Sequence, residues 1–471
     1  MAGQQENQPE IIVVLKPSAA LNAMSGEVPS SLAEFGATLR PVFPIASVPR
    51  SDELSGQEPP SAALSDVLEE QRRYYYLDVS SGDAQPLIER LKQSDLVETV
   101  YVKPAVENPL GPPETLEAAT SSLTGGLPPD FAARQSYLNP ATDGVDPKFA
   151  WAVSGGRGAG VRIIDIEGGW QFSHIDLLQN QGGLGTPYPD VHWRNHGTAV
   201  FGEIIGTVNG FGITGISPDA NICAVSHGGG LGSAGAIQLA ALRLRAGDII
   251  LLEMHRPGPR HGFAGRPDQL GYIAVEWWPD DLLAIRAAVA RGIIVVEAAG
   301  NGAENLDDAL YEAPGPGFPA SWRNPFRGTP DSGAVVVGAG APPSGLHGPD
   351  RSRLGFSNFG SRVDCQGWGR GVVTTGYNDL FKHPTQPLNE DYWYTATFSG
   401  TSSASPIVVG AVACLQGVAK HRGRTLMPQE VRHLLRTTGS PQQAGVASPV
   451  SQRIGSRPDL RQMLGTAFGI A

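Results

Sequence analysis

From residue 161 onward, apolar runs of four or five residues alternate with longer stretches whose apolar positions recur at helical spacing. The short runs predict strands at 161–164, 221–225, 248–252, 293–297 and 334–337. They are nearly uninterrupted by polar residues, as strands buried on both faces are. The longer stretches predict helices over 196–205, 234–246, 280–291, 402–419 and 427–437. Strands alternating with helices imply an α/β fold: a doubly wound parallel sheet with helices on both faces. Such sheets bind ligands outside the carboxyl ends of their strands, where Asp165 and Asn301 stand.

The first hundred residues carry a separate pattern. Strands are predicted at 10–16, 74–79 and 96–102, with helices within 60–73 and over 84–93, which suggests a small ferredoxin-like α/β unit. Residues 105–135 are rich in Pro, Gly, Ser and Thr, the composition of an exposed, cleavable linker. The chain therefore divides into 1–104, a linker 105–135, a main unit 136–446 and a tail 447–471. A length of 471 residues agrees with two domains.

Four segments carry candidate chemistry. The first strand ends in Asp165. His196-Gly197-Thr198-Ala199 opens a helix. A later strand runs into Ala298-Ala299-Gly300-Asn301. Gly400-Thr401-Ser402-Ser403-Ala404-Ser405-Pro406 leads into an apolar helix, with Pro406 expected in its first turn. A serine hydroxyl needs an adjacent base to act as a nucleophile, and a histidine supplies one. A helix N-terminus at Ser402 favours negative charge, as a developing oxyanion requires.

In this order the segments resemble the subtilisin-like serine proteases, whose acid, base and nucleophile follow one another as Asp, His and Ser. The resemblance spans about residues 136–440. It implies a serine endopeptidase with Asp165 as acid, His196 as base, Ser402 as nucleophile and Asn301 as oxyanion donor. It makes His227, Gly228 and Gly229 the edge that pairs with an extended peptide, and Ala298, Ala299 and Gly300 one wall of the S1 pocket. Glu253 stands in the opposite wall, either facing the P1 side chain or turning into a polar network. The N-terminal unit resembles the propeptide that inhibits such enzymes from within the same chain, so a cut in 105–135 would release activity. The competing reading is a catalytically silent scaffold that binds peptides.

The sequence departs from that family at the acid. An Asp-Ser-Gly or Asp-Thr-Gly is usual, whereas this chain has Asp165-Ile166-Glu167-Gly168-Gly169, and the stretch from Asp165 to His174 is longer than usual. No cofactor is needed for the chemistry. The resemblance implies a structural calcium at Asp176 and Asn209, although few further oxygen ligands can be named. Activity is expected to rise with pH as His196 loses its proton, with a midpoint near pH 6–7.

Composition narrows the partners. The net charge of −11 opposes nucleic acid and anionic membranes. Three cysteines without metal-type spacing give no disulfide framework. No signal peptide or membrane-spanning run is read in the sequence, so the chain is expected in the cytoplasm.

Overall fold

The structure, a computed structural model, describes residues 8–19, 37–43, 62–79, 84–111, 123, 126–328 and 331–470. At its N-terminus, β1 (Glu10–Leu15), β2 (Ala37–Pro41), β3 (Tyr74–Val79) and β4 (Val97–Lys103) form an antiparallel sheet in the order β2-β3-β1-β4. That is the ferredoxin-like order. Helix α1 (Ala62–Gln71) falls between β2 and β3, and α2 (Gln85–Lys92) between β3 and β4. The sequence reading omitted β2. Its Ala-Thr-Leu-Arg-Pro has only two apolar side chains besides proline, too short a pattern to register.

One face of this sheet, with Val13, Tyr75 and Val100, is covered by Leu87, Ile88 and Leu91 of α2. The other face carries Ile12, Val14, Tyr74 and Tyr76, and packs into the larger unit. The division follows the two-residue period of a strand.

The larger unit is built on seven parallel strands. They are β5 (Arg162–Glu167), β6 (Asn180–Leu184), β7 (Asn221–Ser226), β8 (Ile249–Leu252), β11 (Ile294–Ala298), β12 (Val335–Gly340) and β13 (Cys365–Trp368). Their order is β13-β12-β11-β8-β5-β7-β6. Side chains alternate between two cores. Ile163, Ile249, Leu251, Ile294 and Val296 meet helices α4 (Val191–Ile205) and α7 (Thr401–His421). Ile164, Ile250, Leu252, Val295 and Val336 meet α5 (Gly232–Arg243) and α6 (Pro279–Ala290). Short helix α3 (Pro147–Trp151) precedes β5, and α8 (Pro428–Thr437) and α9 (Leu460–Phe468) follow α7. Two hairpins complete the unit: β9 (His255–Pro257) with β10 (Tyr272–Ala274), and β14 (Val372–Thr375) with β15 (Tyr394–Phe398).

Helix α7 runs through the middle, with residues 401–419 all buried. By length and composition it could cross a membrane, yet it is packed wholly inside the protein. The sequence reading missed this run because Ser, Thr and Gly interrupt its apolar residues. Pro406 is the sixth residue of the helix, not part of its first turn. It therefore has no N–H to offer the carbonyl of Ser402 four residues back.

Two boundaries differ from the sequence reading. Residues 447–471 are not a loose tail: Ile454, Arg457, Leu460, Met463 and Leu464 are buried, and Ser456 pairs with Cys365. Nor is the described part of 105–135 a free tether. Residues 105–111 run into the cleft of the larger unit, and Phe131 donates its N–H to the Gly212 carbonyl at 2.7 Å. The stretch 112–122 lies outside the described residues.

Candidate active site

Strand β5 continues to Glu167, three residues beyond the predicted end at 164, and this decides which acid meets the histidine. Asp165 and Glu167 point to the same face, one pleat apart, so Glu167 reaches about 7 Å further toward the carboxyl edge. His196, in the middle of α4, places Nδ1 2.6 Å from Glu167 Oε2. Asp165 does not bond the histidine. Its Oδ2 accepts from the Trp170 indole at 2.8 Å. The expected pairing of Asp165 with His196 is thus corrected to Glu167 with His196.

Asp165 and Glu167 are both fully buried, and Asp165 Oδ1 and Glu167 Oε1 have no hydrogen-bond partner. Burial first, and then the neighbouring charge of Glu167, push Asp165 well above the usual carboxylate range. Burial also raises Glu167, while Asp165 beside it pulls it back. Two carboxyls buried together resist double ionisation, and it is Glu167 that accepts from His196. Burial pushes His196 down to about 3, well below the midpoint expected from sequence. Its Nε2 is buried with no hydrogen-bond partner.

Ser402 is the second residue of α7, where the helix exposes unpaired N–H groups. Gly400 precedes it with φ +107°, a conformation that only glycine adopts without strain. Thr401 N–H and Oγ1 both donate to Asn301 Oδ1 at 3.0 Å, which turns the Asn301 amide nitrogen outward. That nitrogen donates to Gln269 Oε1 at 3.3 Å. Asn301 follows Gly300, whose φ is +93°.

The chain's own segment 105–111 occupies the space in front of Ser402. Glu107 pairs antiparallel with His255, through two bonds of 3.0 and 3.1 Å. Gln269 Nε2 donates to the Asn108 carbonyl at 2.9 Å, and Tyr272 OH to Glu107 Oε1 at 2.6 Å. The Ser402 hydroxyl donates to the carbonyl of Pro109 at 2.8 Å. A Cβ added to Gly400 would lie 1.9 Å from that same oxygen, so the glycine also makes room for the segment. Leu110 and Gly111 continue into a cavity of about 210 Å³ with Tyr377, Thr395, Thr397 and Phe398.

The remaining predicted residues are placed differently. His227, Gly228 and Gly229 do not pair with 105–111. His227 and Gly229 line a cavity with Tyr188 on one side and Arg40, Tyr76 and Asp78 of the N-terminal sheet on the other. Ala298, Ala299 and Gly300 are buried, and the Ala299 carbonyl is taken by the Asn358 amide at 2.7 Å. Glu253 does not face the cleft. It follows Leu251 on the α7 side of β8, and its Oε1 accepts from Ser405 Oγ at 2.5 Å. Of the two alternatives read in the sequence, the polar network is the one observed.

The donor set at Asp176 does not fit calcium. Its Oδ1 accepts from Asn209 Nδ2 at 2.8 Å, and its Oδ2 from Ile213 N–H at 2.6 Å and Tyr394 OH at 3.3 Å. Asn209 thus turns its nitrogen, not its oxygen, toward Asp176. Among the described residues no group of three or more His, Cys, Asp or Glu side chains could hold a metal.

Glu167, Gln269 and Tyr272 were missed as site residues. Glu167 had a signal in its spacing. It stands seven residues before His174 where Asp165 stands nine, which removes the unusual loop length, and Glu167-Gly168-Gly169 keeps an acid-x-Gly pattern. Gln269 and Tyr272 lie in an insert whose return to the cleft no local pattern announces.

Comparison with known proteins identifies the family of the chain. A model of the subtilase family matches residues 173–456, more than half of the chain. The match begins after β5, so Asp165 and Glu167 lie outside it. An alkaline protease of Alkalihalobacillus alcalophilus is 24% identical over 81% of this chain and 90% of its own length. Subtilisin DY of Bacillus licheniformis is 28% identical over 61% of this chain and 86% of its own. An extracellular protease of Xanthomonas campestris pv. campestris is 34% identical, but over only 33% of this chain and 21% of that protein. Among solved structures, fervidolysin from Fervidobacterium pennivorans shares the fold with TM-score 0.58 at 16% identity, covering 98% of this chain and 62% of that one. A strand-delivered acid beside a helical histidine, a serine at the start of a buried helix, and the extent of the family match together show that the chain belongs to the subtilase family of serine peptidases.

Proposed function

We propose that the protein is a serine endopeptidase whose triad is Glu167, His196 and Ser402, closed by its own segment 105–111. The observation that carries this reading is the Ser402 hydroxyl 2.8 Å from the Pro109 carbonyl, with a peptide strand laid antiparallel beside it. This contact sets Ser402 Oγ against the carbonyl that acyl transfer would attack, and the hydroxyl hydrogen has to turn from that oxygen to His196 Nε2, which is unpartnered, before attack. In the reaction His196 takes the Ser402 proton on Nε2 as Oγ attacks the carbonyl carbon. Glu167 accepts from Nδ1–H and stabilises the imidazolium. Asn301 Nδ2, released from Gln269, and the N–H of Ser402 donate to the oxyanion. His196 then returns the proton to the leaving amine, and water completes the cycle.

The N-terminal domain supports the closed form. Thr99 Oγ1 donates to the Gly317 carbonyl at 2.7 Å, and Tyr101 OH to Asp280 Oδ1 at 2.9 Å, while β4 leads directly into the cleft segment. The bond presented to Ser402 is Pro109–Leu110, which narrows the expected processing site from 105–135 to one position. Incubated full-length chain is expected to be nearly inactive at first. It should then gain peptide hydrolysis together with a new N-terminus at Leu110, read by mass spectrometry, and with Ser402 labelling by a fluorophosphonate. Full turnover by an intact chain would remove the autoinhibited reading, and absence of labelling would remove the peptidase reading.

A further inference from the structure

Behind Ser402 lies a carboxyl that the triad does not use. Glu253 is fully buried at the end of β8. Its Oε1 accepts from Ser405 Oγ at 2.5 Å, and its Oε2 has no donor. Ser402 stands three residues before Ser405, on the same face of α7, so its hydroxyl is one helical turn from the one that meets this carboxyl. The groups whose charge bears most on it are acids, Asp165 and Glu167 on β5 and Glu203 on α4, and His196 stands against Glu167. Glu203 is itself fully buried with both oxygens lacking donors. Four carboxyls packed in this way cannot all be ionised, so protons remain among them.

We propose that Glu253 is a positioning residue for Ser402. With its proton on Oε2 it donates to Ser402 Oγ, so the serine's own hydrogen is left for His196 Nε2. Without that proton, Oε2 becomes an acceptor and draws the serine hydrogen away from the histidine. No atom is gained or lost from the reaction: the Glu253 proton stays on Glu253 throughout, and the Ser402 proton travels to His196 and on to the leaving amine. Burial, followed by the charges of Asp165 and Glu167, raises Glu253 well above the ordinary carboxylate range, which favours the donating form. The protonated form is the active one, so turnover falls as pH rises through the Glu253 value. This places a descending limb on the pH profile that the triad alone does not supply.

The inference rests on the peptidase reading above, and the test separates the two. The full chain is allowed to process itself, and peptide hydrolysis is followed against pH with fluorophosphonate labelling of Ser402 as a control. Glu253→Gln presents the same donor permanently, because its amide N–H replaces the O–H and cannot titrate. It should lose the descending limb while keeping the ascending one. Glu253→Ala should lower kcat by about tenfold to a hundredfold, with KM little changed, since a misplaced nucleophile costs rate rather than binding. Ser405→Ala removes a hydrogen bond that favours the ionised form, and should move the descending limb to higher pH even if the Glu253 variants do not fold. A wild-type descending limb in Glu253→Gln, a Gln variant as slow as the Ala variant, or an unmoved limb in Ser405→Ala would overturn the proposal while leaving the peptidase reading standing. A wild-type chain whose Ser402 cannot be labelled would overturn both.

Discussion

Replacing Glu167 and Asp165 one at a time separates their roles at the level of single residues. Glu167→Gln leaves the site's shape but cannot orient and stabilise the histidine as a carboxylate does. It should lower kcat by about 10⁴, the size of the effect when the acid of another serine-protease triad becomes an amide. Asp165→Asn keeps an acceptor for Trp170, so its loss should be about tenfold or less. The reverse ranking would return the acid's role to Asp165. Asn301→Ala should lower kcat by roughly 10²–10³, the figure for the corresponding amide of subtilisin rather than one obtained from this structure. An unchanged kcat would leave Asn301 only its bonds to Thr401. The residue types and their order were legible in the sequence: His196, Asn301 and Ser402 stand where the structure builds the site. The acid was not, because a short apolar run does not announce its last residue, and two residues decide which carboxyl clears the strand end.

Among elements, the segment 105–111 has a defect in its pairing. Antiparallel strands bond at alternate residues, so the pair that would follow Glu107 and His255 sets Pro109 opposite Glu253. Pro109 has no N–H to give. The variant Pro109→Ala supplies that donor and should seat the carbonyl more firmly at Ser402, so processing at 109–110 should be several-fold faster by time-resolved mass spectrometry. Equal or slower cleavage would show that the missing bond does not limit it. The alternation of strands and helices was readable because each buried strand is a plain apolar run. The return of 105–111 into the cleft was not. Its Pro and Gly content resembles that of any exposed linker, and only a distant strand edge and Gln269 give it a place.

At the scale of the whole molecule, the two domains meet through buried charge. Lys103 lies between Glu10, at 2.8 Å, and the Asp280–Asp281 pair at the start of α6, and Arg256 bonds Glu10 at 2.8 Å. Burial is the largest single effect on Glu10 and would raise it, but Lys103 and Arg256 together outweigh it and hold the group down at about 2. Released, it keeps Lys103, its partner across the β1–β4 pair, so it should titrate somewhat below the usual carboxylate value of about 4.3. Its contribution to docking is therefore complete above that value and lost as pH falls toward 2. Asp281 works in the other sense. Burial raises it to about 7, so the docked state takes up a proton below that pH and docking weakens as pH rises from about 4 to 7. Inhibition by the separately added N-terminal domain should accordingly be tightest near pH 4 and weaken on both sides. Glu10→Gln should weaken it at pH 5, because Lys103 and Arg256 both lose a buried carboxylate and are left to Asp280 and Asp281 alone. A flat pH profile of the inhibition constant would contradict this account.

The position of Pro109 has a kinetic consequence. When Ser402 acylates there, the amine set free belongs to Leu110, and the chain that follows is fastened to the body of the enzyme again at Phe131. The departing end is thus leashed by about twenty residues and returns at an effective concentration on the order of millimolar. That amine competes with water for the acyl-enzyme and can remake the bond it has just lost. Under the proposed self-processing, cleavage is therefore a reversible latch until hydrolysis intervenes or the N-terminal domain lifts away, and the lag before activity would measure how often the latch closes again.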